Sequence, residues 1–91
     1  CAIDENLIDA AGMNTFEKID IYNINTGERF ETYIITAPRG SGTVSLNGAA
    51  ARKAVKGDLI IVCNYVSVDV NEIETHKPKI VLVDNKNLII E

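Results

Sequence analysis

The sequence predicts a mainly β fold, a small closed barrel with short helices, and three observations predict it. Six short segments have strand character, the intervals between them leave room only for brief helices, and the apolar residues are aliphatic rather than aromatic. With 46% apolar content, three Tyr, two Phe and no Trp, the core has to be built from Ile, Val, Leu and Ala. The 91 residues read as one domain, 1–91, and a chain of this length buries about two-thirds of its unfolded surface. Closing the sheet removes the bare edges that such aliphatic strands would otherwise present.

The elements follow in order. Asp4 to Gly12 reads as a two-turn helix, with Asp4 as cap, Glu5 at the positive end and Gly12 suited to a left-handed stop. Leu7, Ile8 and Ala11 form its apolar face. Lys18 to Ile24 alternates with period two, as a half-buried strand does, and Asn25-Thr26-Gly27 has the chemistry of a turn. A second strand, Glu28 to Thr36, completes a hairpin, and Pro38 to Gly42 is a loop. Thr43 to Leu46 is a short strand, after which Asn47 caps a small-residue segment, Gly48 to Ala54, of one or two helical turns. Leu59 to Val68 is apolar and β-branched enough to be buried on both faces, which also implies an oligomer interface. Cys63, inside that run, reads as a small buried hydrophobe. Val70 to Lys77 is a polar loop with one helical turn, and Lys79 to Val83 and Leu88 to Ile90 are the last two strands.

Composition excludes several function classes. Nine basic residues are scattered among thirteen acidic ones, for a net charge of −4, whereas a nucleic-acid binder gathers Lys and Arg on one face. No apolar run approaches the length of a membrane span. With one histidine, His76, and no CxxC or HxH spacing, no metal site is expected. Two cysteines do not make a disulfide framework, so the expected compartment is reducing and cytoplasmic. The chain starts at Cys1 and its only methionine is Met13, which fits an arbitrary boundary in a longer chain, a removed leader, or a maturation cleavage that creates a functional N-terminus.

Three stretches carry candidate chemistry. Arg29-Phe30-Glu31-Thr32-Tyr33 reads first as an ordinary exposed strand face, and second as a site with a guanidinium whose fork matches a carboxylate and a phenol able to relay a proton. Arg29 and Tyr33 share a strand face but lie ~13 Å apart on an ideal strand, and Thr32 points the other way. One site therefore uses all three only if the strand bends or two subunits contribute. Gly40-Ser41-Gly42 reads as a tight turn first and an anion cradle second. At Gly48-Ala49-Ala50 small residues let a ligand approach the backbone, although the same residues serve tight packing equally well. A Ser-His-Asp triad from Ser41 or Ser45 with His76 has nothing to bring its members together.

In combination, Cys1-Ala2-Ile3-Asp4, Leu7 to Gly12, Ile19 to Asn23, Gly27 to Tyr33, Arg39 to Gly42, Asn47 to Arg52 and Gly57-Asp58 resemble the pyruvoyl-dependent aspartate 1-decarboxylase family, in order from Cys1 to about Tyr65. The resemblance implies a double-psi β-barrel assembled as a homotetramer, with active sites between subunits. It implies a proenzyme that cleaves itself, so that the Ser preceding Cys1 becomes a covalent pyruvoyl cofactor. This chain is then the α-chain and a short β-chain is its partner; an accessory maturation protein is left open. The implied activity is decarboxylation of L-aspartate to β-alanine and CO2 through a Schiff base, for pantothenate and coenzyme A synthesis. Arg29, Thr32, Gly48, Ala49 and Ala50 are then the substrate-binding residues, and Tyr33 the catalytic proton donor. Thr32 and Asn47 serve self-processing, and Cys1 adjoins the pyruvoyl group. Tyr22 stands where the family often carries another aromatic residue. The rival readings are an amidohydrolase that uses the Cys1 thiol and a barrel that serves as a DNA-binding or protein-interaction module.

Overall fold

The structure, a computed structural model, describes residues 1–91. Its six strands form two three-stranded sheets. β1 (Ala2–Asp4) lies between β4 (Ile35–Ala37) and β5 (Val44–Ser45), while β2 (Lys18–Asn23) lies between β3 (Arg29–Tyr33) and β6 (Ile60–Cys63). One helix, α1 (Glu5–Ala11), and two 3-10 turns, Gly48–Arg52 and Val70–Glu72, complete the fold, which is mainly β as expected. No helix is long and apolar enough to cross a membrane.

The two sheets share one aliphatic core. Ile19 and Ile21 from β2, Ile3 from β1, Ile8 from α1, Cys1 and Ile34 are buried together, with Phe30, Leu46, Ile60 and Val62 packed around them. Alternation explains which residues of β2 take part. Ile19, Ile21 and Asn23 face inward, and Lys18, Asp20 and Tyr22 face out. Ile34 is the pivot between the sheets: fully buried, it leaves both strand ladders and pairs instead with the 15–17 turn, where Phe16 N donates to its carbonyl and its own N–H donates to Glu17.

The helix ends as its sequence dictates. The Asp4 carboxylate accepts from Asn6 N, and Gly12 takes the left-handed C-cap conformation with φ of 70°. The hairpin is also as expected. β2 and β3 pair antiparallel from Lys18↔Tyr33 to Tyr22↔Arg29, closed by Asn23 N donating to Glu28 O, and Gly27 supplies the positive φ of the turn.

Five expectations are corrected. The Glu28–Thr36 strand is two strands, because the chain changes sheets at Ile34. The strand expected over Leu59–Val68 ends at Cys63 and is not buried on both faces: Leu59 is 64% and Ile61 49% exposed. The reason is pairing. β6 is an edge strand joined only to β2, and beyond Asp20↔Cys63 little of β2 remains to pair with. Cys63 is accordingly only half-buried, on the outer face with its partner Asp20. The last two strands reduce to a loop-back held by the Val83↔Ile89 bridge and by bonds between Leu82 and Ile90–Glu91, since neither segment joins a sheet that would extend its ladder. One strand, β1, lies where only the helix start was expected, because three residues are too few to display a period.

Candidate active site

The start of the chain is buried at the junction of the sheets. β1 runs parallel to β4, with Ala2 beside Ile35, and antiparallel to β5, with Ala2 beside Ser45. Ile35 N donates to Cys1 O at 2.8 Å, and the Cys1 nitrogen donates to Tyr33 O at 2.9 Å. The side chain of Cys1 is buried in the aliphatic core, so its thiol faces packing partners and not the outer sheet face. Burial pushes the Cys1 amine down from its ordinary range.

β5 runs towards the Cys1 end of β1, and the chain leaves it through Asn47, within reach of the Ser45 hydroxyl at 3.5 Å. Next comes the 3-10 turn Gly48–Arg52, which packs against β3, with Gly48 in a positive-φ conformation. Asn47, Gly48, Ala49 and Ala50 therefore come round to the β3 side of the molecule, where Ala50 is half-buried and the other three are exposed.

Two side chains fix that turn from below. The buried Asn23 amide donates to Lys53 O at 3.2 Å and to Asp58 Oδ2 at 2.9 Å, while its oxygen accepts from Asn25 N and Thr26 N. The Asn23 bond, helped by Val55 N–H and opposed by burial, holds the Asp58 carboxyl below the usual carboxylate range. One asparagine thus ties the β2–β3 turn to the end of the small-residue segment.

β3 divides its functional residues between two faces. Arg29, Glu31 and Tyr33 face out, opposite Tyr22, Asp20 and Lys18; Phe30 and Thr32 face in, Thr32 opposite Ile19. The structure keeps the separation that strand alternation predicts, and no bend within β3 brings Arg29, Thr32 and Tyr33 onto one surface. Glu31, between Arg29 and Tyr33, is paired with Lys18 at 3.2 Å. Arg29 itself has no ion pair and no hydrogen bond, and its guanidinium lies over the Tyr22 ring, 4.4 Å from the centroid. Tyr33 is 51% exposed and its hydroxyl has no partner in the chain. A cation without a counter-ion and a free phenol on one face are equipment for an anionic ligand.

Sequence reasoning missed two participants. Tyr22 was noted only as an aromatic substitution, although the hairpin register sets it directly opposite Arg29. Asp4 was assigned one role and has two. Its buried carboxylate also accepts from Gly40 N at 3.0 Å and Gly42 N at 2.9 Å. The Gly40-Ser41-Gly42 loop is thus a tight turn that does cradle an anion, and the anion is the chain's own. The Gly42 N–H contributes most to holding the Asp4 carboxyl below the usual range, with Asn6 and Gly40 adding to it against the upward push of burial. Arg39 closes the same corner, pairing with Asp9 at 2.7 Å and Glu5 at 3.1 Å. A broad hollow lies away from Arg29 and Tyr33, on the inner side, lined by apolar residues such as Leu7, Met13 and Leu46 and by polar ones such as Ser45 and Asp58.

The fold and this face together define a small mainly β protein with a candidate site for an anionic small molecule. Residues 1–90 match the family model described as aspartate decarboxylase, and the chain belongs to that family. It is 60% identical over all 91 of its residues to aspartate 1-decarboxylase of Bordetella avium, covering 75% of that protein. It is 63% identical to the protein of the same name from Polynucleobacter asymbioticus and 57% identical to that of Cupriavidus necator, again over the whole chain and 76% of each relative.

Proposed function

We propose that this chain is the larger, self-processed part of an enzyme that decarboxylates L-aspartate to β-alanine and CO2, the step that feeds pantothenate synthesis, with a pyruvoyl group on the Cys1 nitrogen. The observation that carries the reading is the setting of that nitrogen. That nitrogen donates to Tyr33 O at the junction of the two sheets, in a partly desolvated position. An amide nitrogen has one N–H and no charge, so the same position suits it. The residues present therefore fit an acyl group at that atom.

When bound there, a pyruvoyl group supplies an electron-poor carbonyl that withdraws the electrons left behind by CO2. The chain's own residues do the rest. Arg29, with no carboxylate of its own to satisfy, binds a substrate carboxylate through its fork. Tyr33 holds the proton that replaces the departing carboxylate, its backbone bonded to the Cys1 nitrogen and its phenol free. The small residues at this turn, exposed Gly48 and Ala49 and half-buried Ala50, leave room for the substrate to approach. Asn47, near the chain start, and inward-facing Thr32 offer polar groups for the oxyanion of self-cleavage.

A second copy of the chain belongs to this reading. Because Thr32 and Arg29 lie on opposite faces of β3, a complete site draws on a neighbouring subunit, and the exposed Leu59, Ile61 and Val66 supply apolar surface for a homotetramer. The short β-chain of the same proenzyme is the other partner. Two free cysteines suit a reducing cytoplasm.

Intact mass measurement tests the proposal. Two chains are expected, the larger heavier than residues 1–91 by one pyruvoyl group, and hydroxylamine should abolish CO2 release. An active enzyme whose larger chain starts with an unmodified Cys1 amine overturns the mechanism. Inactivation by thiol alkylation with resistance to hydroxylamine would move the chemistry onto the Cys1 thiol instead.

A further inference from the structure

We infer that Tyr22 is a positioning residue for Arg29, its ring fixing the direction of the guanidinium on the outer sheet face, with Tyr65 fixing the ring in turn. The inference rests on the proposal that Arg29 binds a substrate carboxylate.

Three observations carry it. Tyr22 and Arg29 are direct cross-strand partners on the outer face of the hairpin, where side chains opposite one another meet. The guanidinium sits over the ring at 4.4 Å from its centroid, well inside the range of a cation–π contact, and Arg29 has no other bonded partner. The far end of the ring is held as well: the Tyr22 and Tyr65 hydroxyls share a hydrogen bond at 2.8 Å, spanning 43 residues of sequence. That bond, followed by the nearby Cys63 thiol, raises the Tyr22 phenol above its ordinary range.

The physical consequence is preorganisation. An exposed arginine on a flexible stem samples many rotamers and has to surrender them when it binds a carboxylate. Stacking on a ring that is itself anchored removes much of that freedom beforehand. The guanidinium carries five N–H donors and makes no hydrogen bond within the chain, so donors remain for a carboxylate. Tyr22 therefore acts on substrate binding through Arg29, touching neither the reacting atoms nor the Cys1 nitrogen.

The test is a double-mutant cycle in the processed holoenzyme with L-aspartate as substrate. Tyr22→Leu should raise KM about three- to thirtyfold with kcat within about twofold, the span a lost cation–π contact allows. Tyr22→Trp should return KM to within about threefold of the parent. In an Arg29→Ala background, Tyr22→Leu should change KM less than about twofold, because its route is already gone. A KM unchanged in Tyr22→Leu, or a rise of equal size with and without Arg29, overturns the inference. NMR of the Arg29 Hδ protons tests it independently of turnover: the Tyr22 ring should shift them upfield, the shift vanishing in Tyr22→Leu and shrinking in Tyr65→Phe. An unshifted Arg29 overturns the stack, whereas a shifted Arg29 in a parent that releases no CO2 from aspartate supports the stack and refutes the proposed substrate.

Discussion

The Cys1 nitrogen donates to the carbonyl oxygen of Tyr33 at 2.9 Å, so the residue proposed to deliver the proton also holds the atom proposed to carry the electrophile. The two duties fall on different parts of Tyr33. Its backbone closes the junction between the sheets, and its half-exposed phenol projects from the outer face of β3. A substitution that removes only the hydroxyl leaves the junction intact.

Tyr33→Phe should therefore self-cleave normally and decarboxylate about 10²–10⁴-fold more slowly, the loss expected when a positioned acid is removed. Chain composition by mass and the rate of CO2 release under saturating substrate separate the two steps. Turnover equal to the parent removes Tyr33 from the proton-donor role.

Arg29→Lys should raise KM for L-aspartate about 10–100-fold, the range for losing charge-assisted hydrogen bonds to a carboxylate, even though the charge is kept. Lysine offers a point charge where the site presents a planar fork stacked on Tyr22. Inhibition by succinate, which has both carboxylates and no amine, should weaken in parallel. A lysine variant with parental KM would show that charge alone suffices there.

Asn23→Ala should cost about 1–3 kcal/mol of stability, because the N–H groups of Asn25 and Thr26 lose their acceptor inside a tight turn. It also releases Lys53 O and Asp58, and with them the end of the Gly48–Arg52 turn. Thermal unfolding should register the first effect and a raised KM the second. Lower stability with an unchanged KM would mean that the 48–50 backbone does not contact substrate.

Local signals were legible in the sequence and relational ones were not. The cap at Asp4, the stop at Gly12 and the Asn25-Thr26-Gly27 turn each depend on neighbours within a few residues, so residue type suffices. The opposed faces of Arg29 and Thr32 follow from alternation alone and hold in the structure. The break at Ile34 was hidden, because an isoleucine in a β-branched run reads the same whether it continues a strand or carries the chain between two sheets. Strand composition equally overstated Leu59–Val68, since propensity cannot reveal that β6 has one neighbour and that this neighbour is short. Asp4 was half-read for the same reason. Its helix-cap partner is two residues away, but the loop amides it also anchors are 36 and 38 residues away.

That second set of bonds sets the response to acid. Asp4 is buried with its carboxyl depressed by the N–H groups of Gly42, Asn6 and Gly40, and the unfolded chain titrates it near the ordinary value of about 3.9. A depressed folded value means the unfolded state binds the proton first, so the stabilisation is complete above about pH 4 and is lost as pH falls through the folded value. Asp58, depressed through Asn23, adds to the same acid branch with the same sign. Asp4→Asn should therefore lower Tm at pH 6, where the parent carboxylate is ionised, and its Tm should fall less steeply than the parent's below about pH 4. The two curves should approach one another at the acid end, and Asp58→Asn should flatten the remaining slope. Parallel Tm curves down to pH 3 would mean that the Asp4 charge contributes nothing to holding the Gly40-Ser41-Gly42 loop against the start of the helix.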